Sequence, residues 1–224
     1  MNQPPQSALF GLPGAEEALC LGPAHASRRL VLLHGWGADA DVLLNLGEAL
    51  VDDPDATDVS LVALRAPLPH PGGSGRQWYD LLPAPAWEQL PEARSALRQR
   101  LLALATSVPL ERTALLGFSQ GAAMALDVAL DVGTHDAGPL PLAALIACSG
   151  YPHPDWHPGR SATRILLTHG EQDPMVAPGA SEEVERALKA AGGSVKRLTF
   201  PGGHGIDPAL LPSLRAFLEE GWAD

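Results

Sequence analysis

What most limits the fold of this chain is the regular return of short apolar runs with helix-like segments between them. The runs are "RLVLLH" (29–34), "VSLVAL" (59–64), "TALLGF" (113–118), "LAALIACS" (142–149), "RILLTH" (164–169) and "VKRLTF" (195–200). They are nearly continuous rather than alternating, the pattern of strands buried on both faces. Residues 41–53, 91–108, 120–130, 181–193 and 207–220 read as helices. The fourth has Ser181 as an N-cap candidate and glycine after Ala191 as a stop. Such alternation predicts an α/β architecture, a mostly parallel central sheet with helices on both faces. No repeat or linker divides the 224 residues, so one domain over 1–224 is expected.

Two stretches break the rhythm. Residues 65–91 are rich in proline and glycine and carry aromatics, and 149–162 pair turn formers with aromatics. Both follow strands, so both are expected to overhang the sheet edge where α/β folds place ligands.

The charge balance, 26 acidic against 15 basic residues, argues against nucleic acid or an anionic membrane surface as partner, since both need clustered cations. The first 21 residues lack the basic and apolar regions of a signal peptide, and no apolar run is long enough for a transmembrane helix. Stable membrane insertion is therefore not expected. Cys20 and Cys148 lie in apolar stretches without C-x-x-C or zinc-like spacing, which reads as buried, reduced thiols in a cytoplasmic protein.

The run at 113–118 stops at a serine between glycines. Gly117-Phe118-Ser119-Gln120-Gly121 fits G-x-S-x-G between a strand and a helix, the nucleophile elbow. Glycines two residues to either side remove Cβ atoms that would strike the neighbouring backbone. The turn lifts the hydroxyl above the sheet beside a helix N-terminus. Such a serine needs a base and the base an orienting acid, in the chain order Ser, acid, His. Of eight histidines only His204, in "FPGGHGID", lies beyond the segment where the acid belongs. That segment, "LLTHGEQDPMV", offers Glu171 and Asp173; Pro174 after Asp173 helps hold the turn and favours Asp173. An acyl-transfer site also needs oxyanion donors. The N–H of Gln120 is one candidate, and the N–H of Trp36 in "LLHGWGAD" is the other. His34 reads as a brace for that loop rather than a participant in chemistry.

The fragments "LLHGWGAD", "QWYDLLP", "LLGFSQGAAMAL", "ACSGYP", "LLTHGEQDPMV" and "GGHGI", in this order, resemble the phospholipase/carboxylesterase family of α/β-hydrolases, which includes bacterial carboxylesterases and acyl-protein thioesterases. The resemblance implies the α/β-hydrolase fold, Ser119 as nucleophile, Asp173 as acid, His204 as base, and the Trp36 and Gln120 N–H groups as oxyanion hole. It implies hydrolysis of esters or thioesters without metal or cofactor. Trp36 stands where the family often has leucine, and Trp78-Tyr79-Asp80 where it has Trp-Phe-Asp. The family's loops lie over the nucleophile, so Trp36, Trp78, Tyr79 and Tyr151, with Trp156, are expected to crowd the mouth and bind substrate. The expected activity is hydrolysis of carboxylic esters with short to medium acyl chains through an acyl-enzyme. The alternatives are an acyl-thioesterase or lysophospholipase using the same residues, and, more remotely, a non-catalytic ligand-binding member of the fold. The expected partner is a small ester or thioester, and a homodimer is compatible with the sequence.

Overall fold

The computed structural model describes residues 18–23, 25–51, 58–133 and 138–223. The N-terminal stretch read as lacking a leader falls largely outside them, as do the last two residues of the first expected helix. The elements in order are β1 (Ala18–Leu21), β2 (Arg28–Leu33), α1 (Ala40–Val51), β3 (Val59–Leu64), β4 (Leu68–Pro69), β5 (Arg76–Gln77), α2 (Leu90–Leu104), β6 (Thr113–Phe118), α3 (Gln120–Leu130), β7 (Ala144–Cys148), β8 (Arg164–Gly170), α4 (Gly179–Ala190), β9 (Val195–Phe200) and α5 (Leu211–Ala223).

Among the described residues, seven strands form one sheet in the order β1-β3-β2-β6-β7-β8-β9. The six expected strands are all present and pair in parallel. β1 was not anticipated; it adds antiparallel at the edge, Ala18 opposite Leu64 and Leu21 opposite Leu61. Its four residues follow polar sequence and are too few to carry a periodic signal. The pleat divides the core in two. Val31 and Leu33 of β2 join α2, α3 and α4 on one face, while Leu30 and Leu32 join α1 and α5 on the other.

Helix α3 is buried over all eleven residues. Its alanines let it lie close to the sheet, and its two polar side chains, Gln120 and Asp127, are buried with polar partners. Three helix ends differ from expectation. α2 stops at Leu104, and residues 105–107 unwind into a turn. α4 begins at Gly179, so Ser181 is not its cap: the Ser181 hydroxyl donates to the Pro178 carbonyl at 2.9 Å. α5 is preceded by a 3-10 turn, Pro208–Leu210, where the Asp207 carboxylate accepts from the Ala209 N–H at 2.8 Å.

Cys20 and Cys148 are both free and buried, and burial pushes each thiol up to about 11. Among the described residues, no helix is long and apolar enough to cross a membrane.

Candidate active site

Five of the loops that leave the C-terminal ends of the parallel strands bring candidate residues to one edge of the sheet, the place where open α/β sheets gather ligands. They follow β2, β6, β7, β8 and β9 and carry Trp36, Ser119, Tyr151, Asp173 and His204 respectively.

Ser119 sits between β6 and α3 with φ 54° and ψ −119°. A non-glycine residue there is strained and needs its surroundings to hold it. The Ser119 N–H donates to the Cys148 carbonyl at 2.8 Å, tying the turn to β7. The flanking glycines are steric necessities. A Cβ on Gly117 would come within 2.4 Å of the Gly121 carbonyl oxygen, and one on Gly121 within 2.1 Å of the Leu33 oxygen. Although Ser119 occupies the N-cap position of α3, its hydroxyl makes no capping bond. It instead lies 2.9 Å from His204 Nε2.

His204 Nδ1 lies 2.7 Å from Asp173 Oδ2. The Asp173 side chain is buried, and its Oδ1 accepts the Met175 and Val176 N–H groups, each at 2.9 Å. Burial alone would raise this carboxyl, but the Val176 N–H, His204 and the Met175 N–H outweigh it and hold it below the ordinary carboxylate value. An ionised Asp173 has no hydrogen to give, so His204 Nδ1 carries the proton and Nε2 is left to accept from the serine. Glu171, the other carboxylate of this turn, accepts from the Thr199 hydroxyl at 2.9 Å on the exposed side. A second imidazole supports the turn: His169 Nε2 donates to the Val176 carbonyl at 2.9 Å and lies 3.4 Å from Asp173 Oδ2.

The loop after β2 passes beside the serine, and a Cβ on Gly35 would lie 3.2 Å from the Ser119 Cβ. The β4–β5 hairpin splints this loop through backbone. Gly37 N–H donates to the Arg76 carbonyl at 2.9 Å, and Arg76 N–H to the Ala38 carbonyl at 2.8 Å. Gly75 packs so closely that a Cβ there would meet the Gly37 oxygen at 2.0 Å. The Trp36 indole donates to Gln77 Oε1 at 2.7 Å and packs edge-on against His70. His34 is a brace, with both ring nitrogens committed: Nε2 accepts the Ala66 N–H at 3.1 Å and Nδ1 donates to the Gly35 carbonyl at 2.8 Å. Burial lowers its pKa, in keeping with a neutral ring. Gln120 is the first residue of α3, where backbone N–H groups have no partner within the helix.

Ser119 and His204 open into a cleft of about 450 Å³, lined mainly by apolar atoms of Trp36, Leu81, Pro85, Trp87, Tyr151, Met175, Val176, Ala177 and Ala180. Such a volume suits a small organic molecule. Trp36 and Tyr151 are on the wall as expected. Trp78 and Tyr79 are not; they are 2% and 0% exposed and lie beneath it. The Trp78 indole donates to the His34 carbonyl at 2.8 Å. The Gln120 side chain clamps the pair, accepting the Trp78 N–H at 3.0 Å and donating to the Tyr79 carbonyl at 2.8 Å. Their role is to seat the 65–89 connection against the elbow. Trp156 is likewise in the core, its indole directed at the Leu126 carbonyl.

Sequence reasoning missed Trp87 and the apolar residues after Asp173. Trp87 stands in the same proline-rich connection as Trp78, and nothing in the sequence says which ring turns outward. Residues 175–180 carried a usable signal, since a turn that delivers the acid must leave along the same rim.

The phospholipase/carboxylesterase family profile matches residues 21–221. The chain is 31% identical over 121 residues to acyl-protein thioesterase 1 of Neurospora crassa, a match covering 51% of this chain and 48% of that protein. It thus spans about half the length of that relative. It is 28% identical over 190 residues to esterase YpfH of Escherichia coli, covering 81% of this chain and 78% of that one. The crystal structure of esterase PE8 superposes with a TM-score of 0.78 at 31% identity, over 91% of this chain and 98% of the other.

Proposed function

Because the chain belongs to the phospholipase/carboxylesterase family, we propose that it is a serine hydrolase cleaving carboxylic esters of short to medium acyl chains through an acyl-enzyme. The observation that carries this reading is the hydrogen-bonded line from Ser119 Oγ through His204 to Asp173, at 2.9 and 2.7 Å, opening into an apolar cleft.

Ser119 attacks the acyl carbon as His204 Nε2 takes its proton, and Asp173 balances the imidazolium that forms. The carbonyl oxygen becomes an anion between the Gln120 and Trp36 N–H groups. Donors of this kind, fixed before the reaction, are each worth about 10²–10³ in rate. Collapse of the tetrahedral intermediate expels the alcohol, which takes the proton back from His204. Water then enters, gives its proton to His204, and releases the acid by the same path.

The elbow does not use the serine hydroxyl for capping, so Ser119→Ala should fold normally. It should lose at least about 10³-fold in ester turnover and all labelling by a fluorophosphonate. A Ser119→Ala protein that keeps a tenth of wild-type turnover would sink the assignment.

A second reading, acyl-thioester hydrolysis by the same residues, is supported by the likeness to the Neurospora thioesterase. Both leaving groups depart from the same intermediate. Matched oxygen and sulfur esters of one acyl group, with a lysophospholipid beside them, separate the readings by kcat/KM.

A further inference from the structure

Behind the cleft wall runs a second line of polar side chains that the proposed reaction does not use. Arg94 Nε donates to Asp127 Oδ2 at 2.6 Å, with both side chains buried. His153 Nδ1 bonds the same oxygen, and its Nε2 lies 3.0 Å from the Tyr79 hydroxyl. That hydroxyl in turn lies 2.6 Å from the hydroxyl of Tyr151. These are the only two tyrosines of the chain. Of the five residues, Tyr151 alone lines the cleft.

Charge balance favours one direction for this line. The Arg94 guanidinium already offsets the Asp127 carboxylate, and a second buried cation beside them would have no counter-ion. With one ring hydrogen, held on Nδ1 toward Asp127, His153 accepts through Nε2. Tyr79 therefore donates to His153 and receives the hydrogen of Tyr151. Burial raises both phenols, Tyr151 to about 12, so both keep their hydrogens at neutral pH. With that direction the single hydroxyl hydrogen of Tyr151 is committed to Tyr79 rather than to the cleft.

A second cleft ring rests on the same line. Trp87 lies with its ring centre 5.7 Å from Tyr79 and 5.8 Å from His153. Two rings of the wall are thus seated on a polar chain whose far end is anchored in α2 and α3.

We propose that Arg94, Asp127, His153 and Tyr79 form a brace that fixes Tyr151 and Trp87 in place and thereby sets the length of substrate the cleft accepts. Tyr79 is the positioning residue at the joint and acts through Tyr151. The selectivity half of this inference rests on the esterase reading above; the rigidity half does not.

Two measurements test the two halves. With ring-labelled tyrosine, the two edges of the Tyr151 ring should give separate NMR signals in the wild type and merge in Tyr79→Phe, where Tyr151 is the sole tyrosine. Separate signals that persist in Tyr79→Phe overturn the brace, whatever the protein does to esters. The kinetic measurement is the ratio of kcat/KM for short over long esters, in an acyl-graded and an alkyl-graded series. Tyr79→Phe should lower that ratio in one series by at least about threefold, with the change mainly in KM for the long ester. Tyr151→Phe should lower it by no more than Tyr79→Phe does, and the double variant should match Tyr79→Phe, which already removes the Tyr79–Tyr151 bond along with the bond to His153. Unchanged ratios in both series, or additive effects, overturn the selectivity role. A loss of about 100-fold in kcat on an acetyl ester in Tyr79→Phe would also overturn it, by making the line part of the oxyanion machinery. A wild type without ester turnover would count against the esterase reading, and the ring signals would still decide the brace.

Discussion

Asp173 and Asp127 each bond the Nδ1 of an imidazole, that of His204 and that of His153, and the two pairs are built for opposite ends. In each, the carboxylate bonds Nδ1 and leaves Nε2 facing a hydroxyl, that of Ser119 or that of Tyr79. The difference lies on the far side of the carboxylate. Asp173 is held by two backbone N–H groups, which orient it without neutralising it. Asp127 is held by the Arg94 guanidinium, which neutralises it. A proton arriving on His204 therefore completes an ion pair, whereas one arriving on His153 would put two cations against one anion. Backbone support makes a pair that can take a proton; a cation makes one that stays put. The hydroxyls agree with this. Ser119 sits at a strained turn at the head of an open cleft, while Tyr79 is fully buried with its phenol pushed far up.

The comparison breaks most sharply on the two carboxylates. Asp173→Asn should cut kcat by about 10³–10⁴ by favouring the wrong tautomer of His204. It should move the unfolding midpoint little, since the amide oxygen can still accept the Met175 and Val176 N–H groups. If Glu171→Gln is the crippling change and Asp173→Asn is mild, the acid has been misassigned. Asp127→Asn should do the reverse and cost about 3–5 kcal/mol in urea unfolding, because it strands a buried guanidinium. A stability loss below about 1 kcal/mol there would mean that Arg94 is not held as described.

Smaller effects sharpen the contrast. Trp36→Leu changes the ring on the wall and leaves the backbone N–H in place. Short-ester turnover should stay within about tenfold, and the optimum should move toward longer acyl groups. An unchanged length profile would remove Trp36 from the wall. The smallest effect is in acid. The Asp173 carboxyl is lowered in the folded protein, so its stabilising contribution is complete above the ordinary carboxylate range. It is lost as pH falls through that range to the lower folded value. The stability gap between wild type and Asp173→Asn should therefore narrow from pH 7 to pH 3, and a constant gap would contradict the lowered pKa.

The frame of the molecule was legible because burial on both faces writes itself as nearly unbroken apolar runs in β2, β3, β6, β7 and β8, whereas β9, at the sheet edge, is mostly half-exposed and its run carries Lys196 and Arg197. Ser119, Asp173 and His204 could be picked out because a sharp turn, a strand end and a Gly-flanked loop each leave a local mark. What stayed hidden depends on contacts between distant segments. β4 and β5 are two residues each, and β5 is hydrogen-bonded to the loop after β2. Trp78 and Trp87 belong to one connection, yet one is sealed under the cleft and the other faces it. Trp78 is held by the Gln120 side chain, 42 positions beyond it, a clamp that no local pattern could disclose. The Asp127–His153 pair was invisible for the same reason: its members come from a helix and a loop, 26 positions apart.

The splint of the β4–β5 hairpin against residues 35–38 makes these two stretches a single heritable part. Where a Cβ on Gly75 would stand 2.0 Å from the Gly37 oxygen, neither backbone can be redrawn without the other. A transplant of the 65–77 connection from a relative, made to borrow its taste in substrates, would carry a hidden change to the backbone that holds the Trp36 N–H. Such grafts should succeed as a cassette that includes the donor's own "HGWGA" equivalent. Made alone, they should yield chimaeras that fold and bind but turn over slowly.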